Sequence, residues 1–373
     1  MMRHHPAPTI DVDELRDYLE DGQPVTVLDV RPAAERAEWS IPGSRHLDAY
    51  AALKAGDADA LAEIDLPAEG LVVTVCGAGK VSQTAMQQLR ARGYDARSLA
   101  GGMRAWSLAW NIAQVPVSAT SATVIQVRRT GKGCLSYLIA EGNEAAVIDA
   151  ALDPAVYMDL ADSHGWTITQ VLDTHVHADH LSRSRALATL TGATLSLPAQ
   201  QRIRYPFHPL HDGDMVRIGA STLRVRRTPG HSPESMSYLL DGSAILTGDT
   251  LFLDGVGRPD LETSAGAARE RARLLFQSLR ELSSLPSDTV VLPGHTSEPV
   301  PFDGRPLAAP LGEVHDRVLT LRLPEAEFVA TILARIPPTP PNHARIVSLN
   351  EAGEPPASDP MELEAGANRC AIS

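Results

Sequence analysis

The first part of the chain alternates short apolar segments with segments of helical periodicity. Residues 25–30 and 71–76 have the composition of buried strands, and residues 82–93 carry apolar positions at helical spacing. Strands that alternate with helices in this way are typical of a parallel-sheet α/β unit. We therefore predict an α/β domain over residues 8–114, followed by a small, polar and aperiodic linker over residues 115–122.

Strand-like runs dominate the chain beyond the linker, and helices separate them. The predicted strands are residues 123–129, 134–140, 145–149, 169–173, 221–227, 235–240, 244–246 and 289–292. This pattern predicts an α/β sandwich over residues 123–299. The rest, residues 300–373, is a proline-punctuated extension with one helix, and we expect about its last twenty residues to be weakly ordered.

Composition limits the class of protein. The length of 373 residues suggests about two domains. The net charge of −13 argues against a nucleic-acid partner or an anionic membrane surface, both of which need basic patches. No signal sequence and no long apolar run is evident. Three widely spaced cysteines fit a reducing compartment, so we expect a cytoplasmic protein. Whether it forms a homodimer stays open.

The clearest chemical feature is the segment Thr-His-Val-His-Ala-Asp-His that follows the predicted strand 169–173. It places His175, His177, Asp179 and His180 within six residues. Two imidazoles at positions i and i+2 point the same way only where the backbone is extended. We expect Asp179 and His180 to begin the helix that follows, so that this strand-to-helix turn gathers metal-type ligands.

Three further candidate ligands each lie just past a predicted strand. They are His231, Asp249 and His295. Each of them alone would be an ordinary turn residue. Because one sheet edge can present all of them to a single point together with the histidine segment, the spacing predicts a metal site.

In these residues the chain resembles the metallo-β-lactamase superfamily over about residues 123–299. The resemblance implies an αββα sandwich with a metal site at one edge. The superfamily includes thioester hydrolases, lactamases, nucleases and oxygenases, so this likeness leaves the substrate open.

Residues 248–260, with the sequence GDTLFLDGVGRPD, look like a segment of the persulfide dioxygenases, and residues 337–353 look like the end of that family. The resemblance implies one Fe(2+) per chain, held by His175, His231 and Asp249. A face of two histidines and one carboxylate leaves iron open positions. The implied reaction oxidises glutathione persulfide, or a related low-molecular-weight persulfide, with O₂ to sulfite and a thiol. Arg258 would bind a substrate carboxylate, and the alternative for it is a salt-bridged turn arginine.

A second interpretation keeps the fold and changes the chemistry. The candidates for a second metal, or for orienting the first set of ligands, are His177, Asp179, His180 and His295. They complete the dinuclear site of a zinc hydrolase similar to glyoxalase II, with two Zn(2+) per chain and a thioester substrate. Asp179 would then be a ligand or a base. Persulfide dioxygenases also keep these residues, so their presence leaves both activities open.

Cys76 begins the loop CGAGKVS between a predicted strand and a predicted helix. Loop N–H groups, the helix N-terminus and Lys80 would stabilise a thiolate there. Residues 27–47 and 99–110 resemble the rhodanese family, which implies that Cys76 carries a persulfide. Val81 departs from the family's usual arginine, so a structural or docking module is the alternative, and a sulfurtransferase or sulfur-binding protein is a third function. Cys134 is expected in the core and Cys370 in the tail.

Overall fold

The computed structural model describes residues 8–261, 263–296, 298–355, 359–366 and 368–372. Its N-terminal part contains β1 (Thr9–Ile10), α1 (Val12–Glu20), β2 (Val25–Asp29), α2 (Ala33–Glu38), β3 (Arg45–His46), α3 (Tyr50–Ala55), β4 (Leu71–Val75), α4 (Val81–Ala91), β5 (Ala96–Leu99) and α5 (Gly102–Trp106). The strands form one parallel sheet in the order β1-β5-β4-β2-β3.

Both faces of this sheet are covered, which is why its central strands are continuously apolar. Strand β4 is buried along its whole length. One face packs on α3 and α4 through Leu53 and Leu89, and the other packs on the segment around α5 through Met103 and Trp106. The predicted α/β domain is confirmed in its fold class.

The described residues of the remainder form two larger sheets, a two-stranded sheet, and eight helical segments that flank or follow them. The elements are β6 (Asn111–Val115), β7 (Thr123–Arg129), β8 (Cys134–Glu141), β9 (Glu144–Ile148), α6 (Pro154–His164), β10 (Thr167–Leu172), α7 (Ser184–Thr191), β11 (Thr194–Pro198), β12 (His208–Leu210), β13 (Met215–Ile218), β14 (Ser221–Arg227), β15 (Met236–Leu240), β16 (Ala244–Gly248), β17 (Val256–Gly257), α8 (Ala265–Leu282), β18 (Val290–Pro293), β19 (Ala309–Pro310), α9 (Leu311–Arg317), a 3₁₀ turn (Leu319–Arg322), α10 (Glu325–Ala334), α11 (His343–Ala352), α12 (Pro360–Glu364) and β20 (Ala371–Ile372).

The two large sheets pack face to face. One has the order β12-β11-β10-β9-β8-β7-β6 and the other the order β13-β14-β15-β16-β18-β19. Their inner faces share a core that includes Tyr137, Ile148, Val225 and Leu246. Helices α6 and α7 cover one outer face, and α8, α9 and α10 cover the other. The αββα sandwich is therefore confirmed.

One strand of the large sandwich begins within the residues that the sequence placed in the first domain. Residues 111–114 were expected to end the first domain, but Asn111–Val115 pairs antiparallel with β7 at the edge of the seven-stranded sheet. The alternating exposure along this strand is that of an edge strand with one buried face. The strand therefore connects the two α/β parts without a free linker before it.

The C-terminal residues are tied down, contrary to the expectation of a weakly ordered end. Strand β20 pairs antiparallel with β17, the short strand that follows Asp249 in the sequence. Glu364 at the end of α12 is fully buried and forms ion pairs with Arg129, at 2.8 Å, and with Arg183. Arg129 also donates to the carbonyl of Ser107 at 2.7 Å. A single buried carboxylate thus joins the C-terminal segment to the sandwich and, through Arg129, to the N-terminal part.

Among the described residues, no helix is both long enough and apolar enough to cross a membrane.

Replacing Glu364 with Gln should strongly destabilise the fold, because the buried guanidinium of Arg129 and the partly buried one of Arg183 would lose their counter-charge. Breaking a buried ion pair costs about 3–5 kcal/mol of unfolding free energy. Burial raises the pKa of Glu364, but Arg129 and Arg183 outweigh it and lower the pKa to about 2. The wild-type contribution should therefore be full above the ordinary glutamate pKa of 4.5 and be lost as the pH falls from there toward 2.

Denaturant unfolding at neutral and acidic pH measures both effects. The matched control is Glu362→Gln. Glu362 is exposed, and its ion pair with the exposed Arg104 is long, at 4.0 Å, so it should contribute little to stability. Equal stability of the two variants at neutral pH would contradict the role given to Glu364.

Candidate metal centre

The histidine segment forms an extended loop, and the helix after it starts later than the sequence indicated. Helix α7 begins at Ser184, so Asp179 and His180 lie in the loop. The backbone N–H groups of Leu181 and Ser182 donate to side chains, Glu364 Oε1 at 2.8 Å and Asn350 Oδ1 at 2.9 Å. These side chains satisfy backbone N–H groups that lie before the first turn of α7.

Asn350 holds the loop from its other side as well. Its Nδ2 group donates to the carbonyls of His177, at 2.8 Å, and His180, at 2.9 Å. Sequence reasoning missed Asn350 and Glu364, which lie about 170 and 180 positions further along the chain. A residue whose role depends on so distant a contact carries no local signal.

The other candidate ligands also reach the loop from strand ends. Asp249 follows β16, His295 follows β18, and His231 lies in the turn after β14. Gly248 adopts a φ of 48°, and a Cβ atom there would lie 2.5 Å from Thr174 Oγ1. Only glycine permits this approach of β16 to the histidine loop.

The first donor group consists of His175, His231 and Asp249. Asp249 Oδ2 lies 3.9 Å from His175 Nε2 and 3.7 Å from His231 Nε2, and all three side chains are buried. The other ring nitrogens are held by Thr174 Oγ1 and by the carbonyl of Arg258, each at 2.9 Å. Hydrogen bonds of this kind orient an imidazole so that its free nitrogen faces a metal.

Two atoms of this group lack a partner that their chemistry requires. His175 Nε2 and Asp249 Oδ2 are buried and make no hydrogen bond. A buried polar atom without a partner costs free energy that a bound cation would offset. The residues therefore fit a divalent metal ion.

The electrostatics of this group also suit a cation. Burial, reinforced by His177, holds the pKa of His175 well below its usual value, and burial likewise lowers the pKa of His231. Burial alone would raise the pKa of Asp249, but His295 outweighs it and the pKa is lowered. Neutral imidazoles and an ionised carboxylate are the protonation states that metal binding needs.

His177, expected near the second metal, lies in a different group. Its Nε2 atom is 3.2 Å from Asp149 Oδ1, and its group contains Asp149 and Asp173. Asp149 also accepts the backbone N–H of Thr174 at 2.6 Å. This pairing engages only Nε2 of His177, and its Nδ1 atom is buried without a hydrogen bond.

A second donor group lies beside the first and contains Cys134, Asp179, His180 and His295. Cys134 was expected only as a core residue, and it is indeed buried. Burial and Asp179 raise the pKa of the Cys134 thiol, but His180 and His295 outweigh them and lower it to about 6. The pKa of His180, which burial would lower, is raised to about 9 by Asp179. The thiol and this imidazole therefore form a charge-stabilised pair.

Arg258 takes the second of its two predicted roles, and Cys370, in the tail as expected, is buried. The Arg258 guanidinium is fully buried, pairs with Asp260 through two bonds of 2.8 Å, and donates to the carbonyls of Pro338 and Arg369. It is thus the salt-bridged turn arginine. Cys370 is buried within reach of Asp249 and His295, because β20 docks beside the Asp249 turn.

Cys76 lies in the N-terminal part, at the end of β4 and before α4. Its Sγ atom accepts the backbone N–H of Ser82 at 3.3 Å and lies 3.3 Å from Ser82 Oγ. The side chain is only 2% exposed, so a reaction partner reaches the sulfur only if the loop yields. Glu35, Trp39 and Arg104 line the cavity next to this loop.

Comparison with known families agrees with both parts of the fold. The family model of the rhodanese-like domain matches residues 11–109, and that of the metallo-beta-lactamase superfamily matches residues 129–199 and 193–295. The chain is 34% identical to a hydroxyacylglutathione hydrolase of Methylococcus capsulatus, over 53% of this chain and 77% of that protein. It is 31% identical to the crystal structure of ETHE1 from Myxococcus xanthus, with a TM-score of 0.54, covering 62% of this chain and 98% of that one.

Some relatives are matched over a shorter part of their length. A hydroxyacylglutathione hydrolase of Rhodospirillum rubrum is 39% identical over 40% of this chain, and the match spans 56% of that relative. The chain thus spans little more than half the length of this curated relative.

Removing a donor of the first group should remove its metal. Asp249→Asn and His231→Ala should each weaken metal binding by more than the roughly 10–100-fold that loss of an outer hydrogen-bond partner costs. Thr174→Val should weaken metal binding only within that smaller range. It removes the hydroxyl that is the outer partner of His175 and that also bonds Asp149.

Metal content per chain after dialysis, with circular dichroism as a check on folding, measures these effects. The control is His208→Ala, because His208 is exposed on β12. Full metal content in folded Asp249→Asn protein would contradict the first donor group.

Proposed function

This chain belongs to the metallo-β-lactamase superfamily, and on that basis we propose that it is a persulfide dioxygenase with a sulfur-carrying rhodanese-like domain. Its substrate is glutathione persulfide or a related small persulfide, and its metal is one Fe(2+) at His175, His231 and Asp249. The observation that carries the proposal is the first donor group itself, in which two histidines and one carboxylate bring their free atoms together.

Two imidazoles and one carboxylate on one face are the ligand set of non-haem iron oxygenases. Bound Fe(2+) supplies the redox chemistry that O₂ requires. In the overall reaction, the outer sulfur of the persulfide is oxidised to sulfite, the sulfur–sulfur bond breaks, and O₂ takes up four electrons. One water molecule supplies the third sulfite oxygen, and the inner sulfur leaves as a thiol.

The residues around the first group control access and polarity. A narrow cavity opens beside His175, and Gln200, Tyr205 and Asn350 line it. Asn350 also ties down the loop, so the cavity wall and the ligand positions depend on one side chain. The hydroxyacylglutathione hydrolase name of the relatives supports a glutathione-linked substrate.

The second candidate is a zinc thioester hydrolase. The names of the relatives and the presence of Asp179, His180 and His295 in a second donor group favour it. Such an enzyme uses a metal-activated water to attack a glutathione thioester.

Substrate tests with protein of known metal content separate the two candidates. The proposed enzyme should consume O₂ and release sulfite in equal amounts when glutathione persulfide is added, with about one iron per chain. It should hydrolyse a glutathione thioester only slowly. Fast thioester hydrolysis by zinc-loaded protein, together with no O₂ uptake by iron-loaded protein, would reverse the choice.

Cys76 should accept sulfane sulfur from a persulfide donor, because the N–H of Ser82 at the start of α4 points at its sulfur and stabilises negative charge. Intact-protein mass should show one added sulfur in the wild type and none in Cys76→Ser. A matched cysteine control, Cys370→Ser, should keep the adduct.

O₂ uptake with preformed glutathione persulfide should survive Cys76→Ser, because Cys76 follows β4 of the N-terminal parallel sheet and the proposed iron ligands lie in the sandwich. If wild-type protein gains no sulfur from any donor, the N-terminal part has a structural or docking role. A folded, iron-loaded Cys76→Ser protein without O₂ uptake would contradict the separation of the two sites.

A further inference from the structure

A small cavity lies where the N-terminal part meets the sandwich, and none of its lining residues belongs to either donor group. Its volume is about 190 Å³, and its walls are residues 36–40 of the first part, residues 130–133 of the turn between β7 and β8, and Thr296, Glu298, Pro299 and Asn368. We propose that this cavity binds a small anion, a carboxylate or an inorganic oxyanion, with Lys132 as its counter-charge. The proposal does not depend on which reaction the metal centre catalyses.

Lys132 brings to this cavity a positive charge that no carboxylate neutralises. Its side chain is buried, with 9% exposure. The Nζ group donates to the backbone carbonyl of Glu364 at 2.8 Å, and over the part of the chain that the structure describes it forms no ion pair. An ammonium group has three N–H donors, so two remain for a ligand. A buried charge without a counter-charge is costly, and an anion in the cavity would remove that cost.

Two neutral hydrogen-bond donors line the same cavity. Thr130 is 4% exposed, and its buried Oγ1 atom has no hydrogen-bond partner among the described residues. The Nδ2 group of Asn368 is buried and equally without a partner there, whereas its Oδ1 atom accepts the backbone N–H of Cys370 at 2.8 Å. An ammonium, a hydroxyl and an amide NH₂ group around one space favour a ligand that is rich in hydrogen-bond acceptors, and the charge of the ammonium favours an anion.

The volume and the remaining charges limit the size of this ligand. A cavity of about 190 Å³ holds more than one water molecule but is smaller than the roughly 300–1,000 Å³ of sites for drug-sized ligands. Arg36 adds a second positive charge, and its guanidinium donates to the carbonyl of Ser44 at 2.9 Å. Glu38 and Glu298 are exposed, and Glu38 pairs with Arg369 at 3.3 Å, so water and that pairing weaken their repulsion of an anion.

The turn that carries Thr130 and Lys132 is fixed by its contacts with the N-terminal part. The backbone N–H of Gly131 donates to the carbonyl of Ala109 at 3.2 Å, and a Cβ atom at this glycine would lie 1.8 Å from the carbonyl oxygen of Trp106. Only glycine permits this close approach. The two donors are therefore in place before a ligand arrives, and binding costs little conformational entropy.

Thermal unfolding of the full-length protein in sodium sulfate and in sodium acetate tests the proposal, with sodium chloride added to hold the ionic strength constant. An anion that binds the folded state should raise the unfolding midpoint once its concentration exceeds its dissociation constant. A response to sulfate alone would identify an inorganic oxyanion as the ligand, and a response to acetate alone would identify a carboxylate. Either response supports the proposal if it requires Lys132.

The variants are compared by the difference in midpoint with and without the anion, so that changes in their basal stability cancel. Lys132→Met should lower the anion affinity roughly ten- to hundredfold, the usual cost of a lost charge-assisted hydrogen bond. Thr130→Val should lower the affinity by less, and it serves as the test if Lys132→Met does not fold. The matched control is Lys54→Met, because Lys54 is exposed on α3 and should leave the response unchanged.

A further variant separates this cavity from the metal centre. Folded Asp249→Asn protein should keep the response to the anion, because Asp249 does not line the cavity. The proposal would be overturned if neither anion gave a saturable rise in the midpoint. It would also be overturned if folded Lys132→Met and Thr130→Val proteins responded as strongly as the wild type, since the general effect of anions on stability would then account for the rise.

Discussion

The arrangement of this protein depends on the burial of Asp249 among histidines. Each oxygen of its carboxylate has a different neighbour, with Oδ2 facing His175 and His231 and Oδ1 bonded to His295. A buried carboxylate is costly unless hydrogen bonds and opposite charge compensate it. The strand ends that present these side chains must therefore meet within a few ångströms, and the sandwich supplies that meeting point.

Segments far from the donors in sequence hold them in place. Asn350 and Glu364, both from the C-terminal extension, bind the backbone of the histidine loop before the first turn of α7. The carbonyl of Arg258 orients His231, and the side chain of Arg258 is in turn held by the C-terminal segment. The extension is thus part of the metal centre and not an appendage of the sandwich.

The N-terminal part is linked to the same network. Arg129 contacts the carbonyl of Ser107, after α5, and the carboxylate of Glu364, which bonds the loop beside His180. Trp106 packs against Phe302 of the extension, with ring centroids 5.9 Å apart. These contacts connect the N-terminal part to the residues that hold the histidine loop.

The sequence by itself determined the two α/β parts, ten of the twenty strands among the described residues, and the seven candidate donors. Those inferences rest on local regularities: β7 and β14 have the predicted bounds because turn residues enclose their apolar runs, and His175 to His180 stand out because four polar donors follow a buried strand. Only the tertiary structure decided how the donors divide. It paired His177 with Asp149, placed Cys134 beside Asp179, and assigned Arg258 to a salt bridge. The first two outcomes depend on contacts between residues 28 and 45 positions apart, and a linear pattern holds no record of such contacts. The partner of Arg258 is close in sequence, but its burial depends on the C-terminal segment, which packs over it.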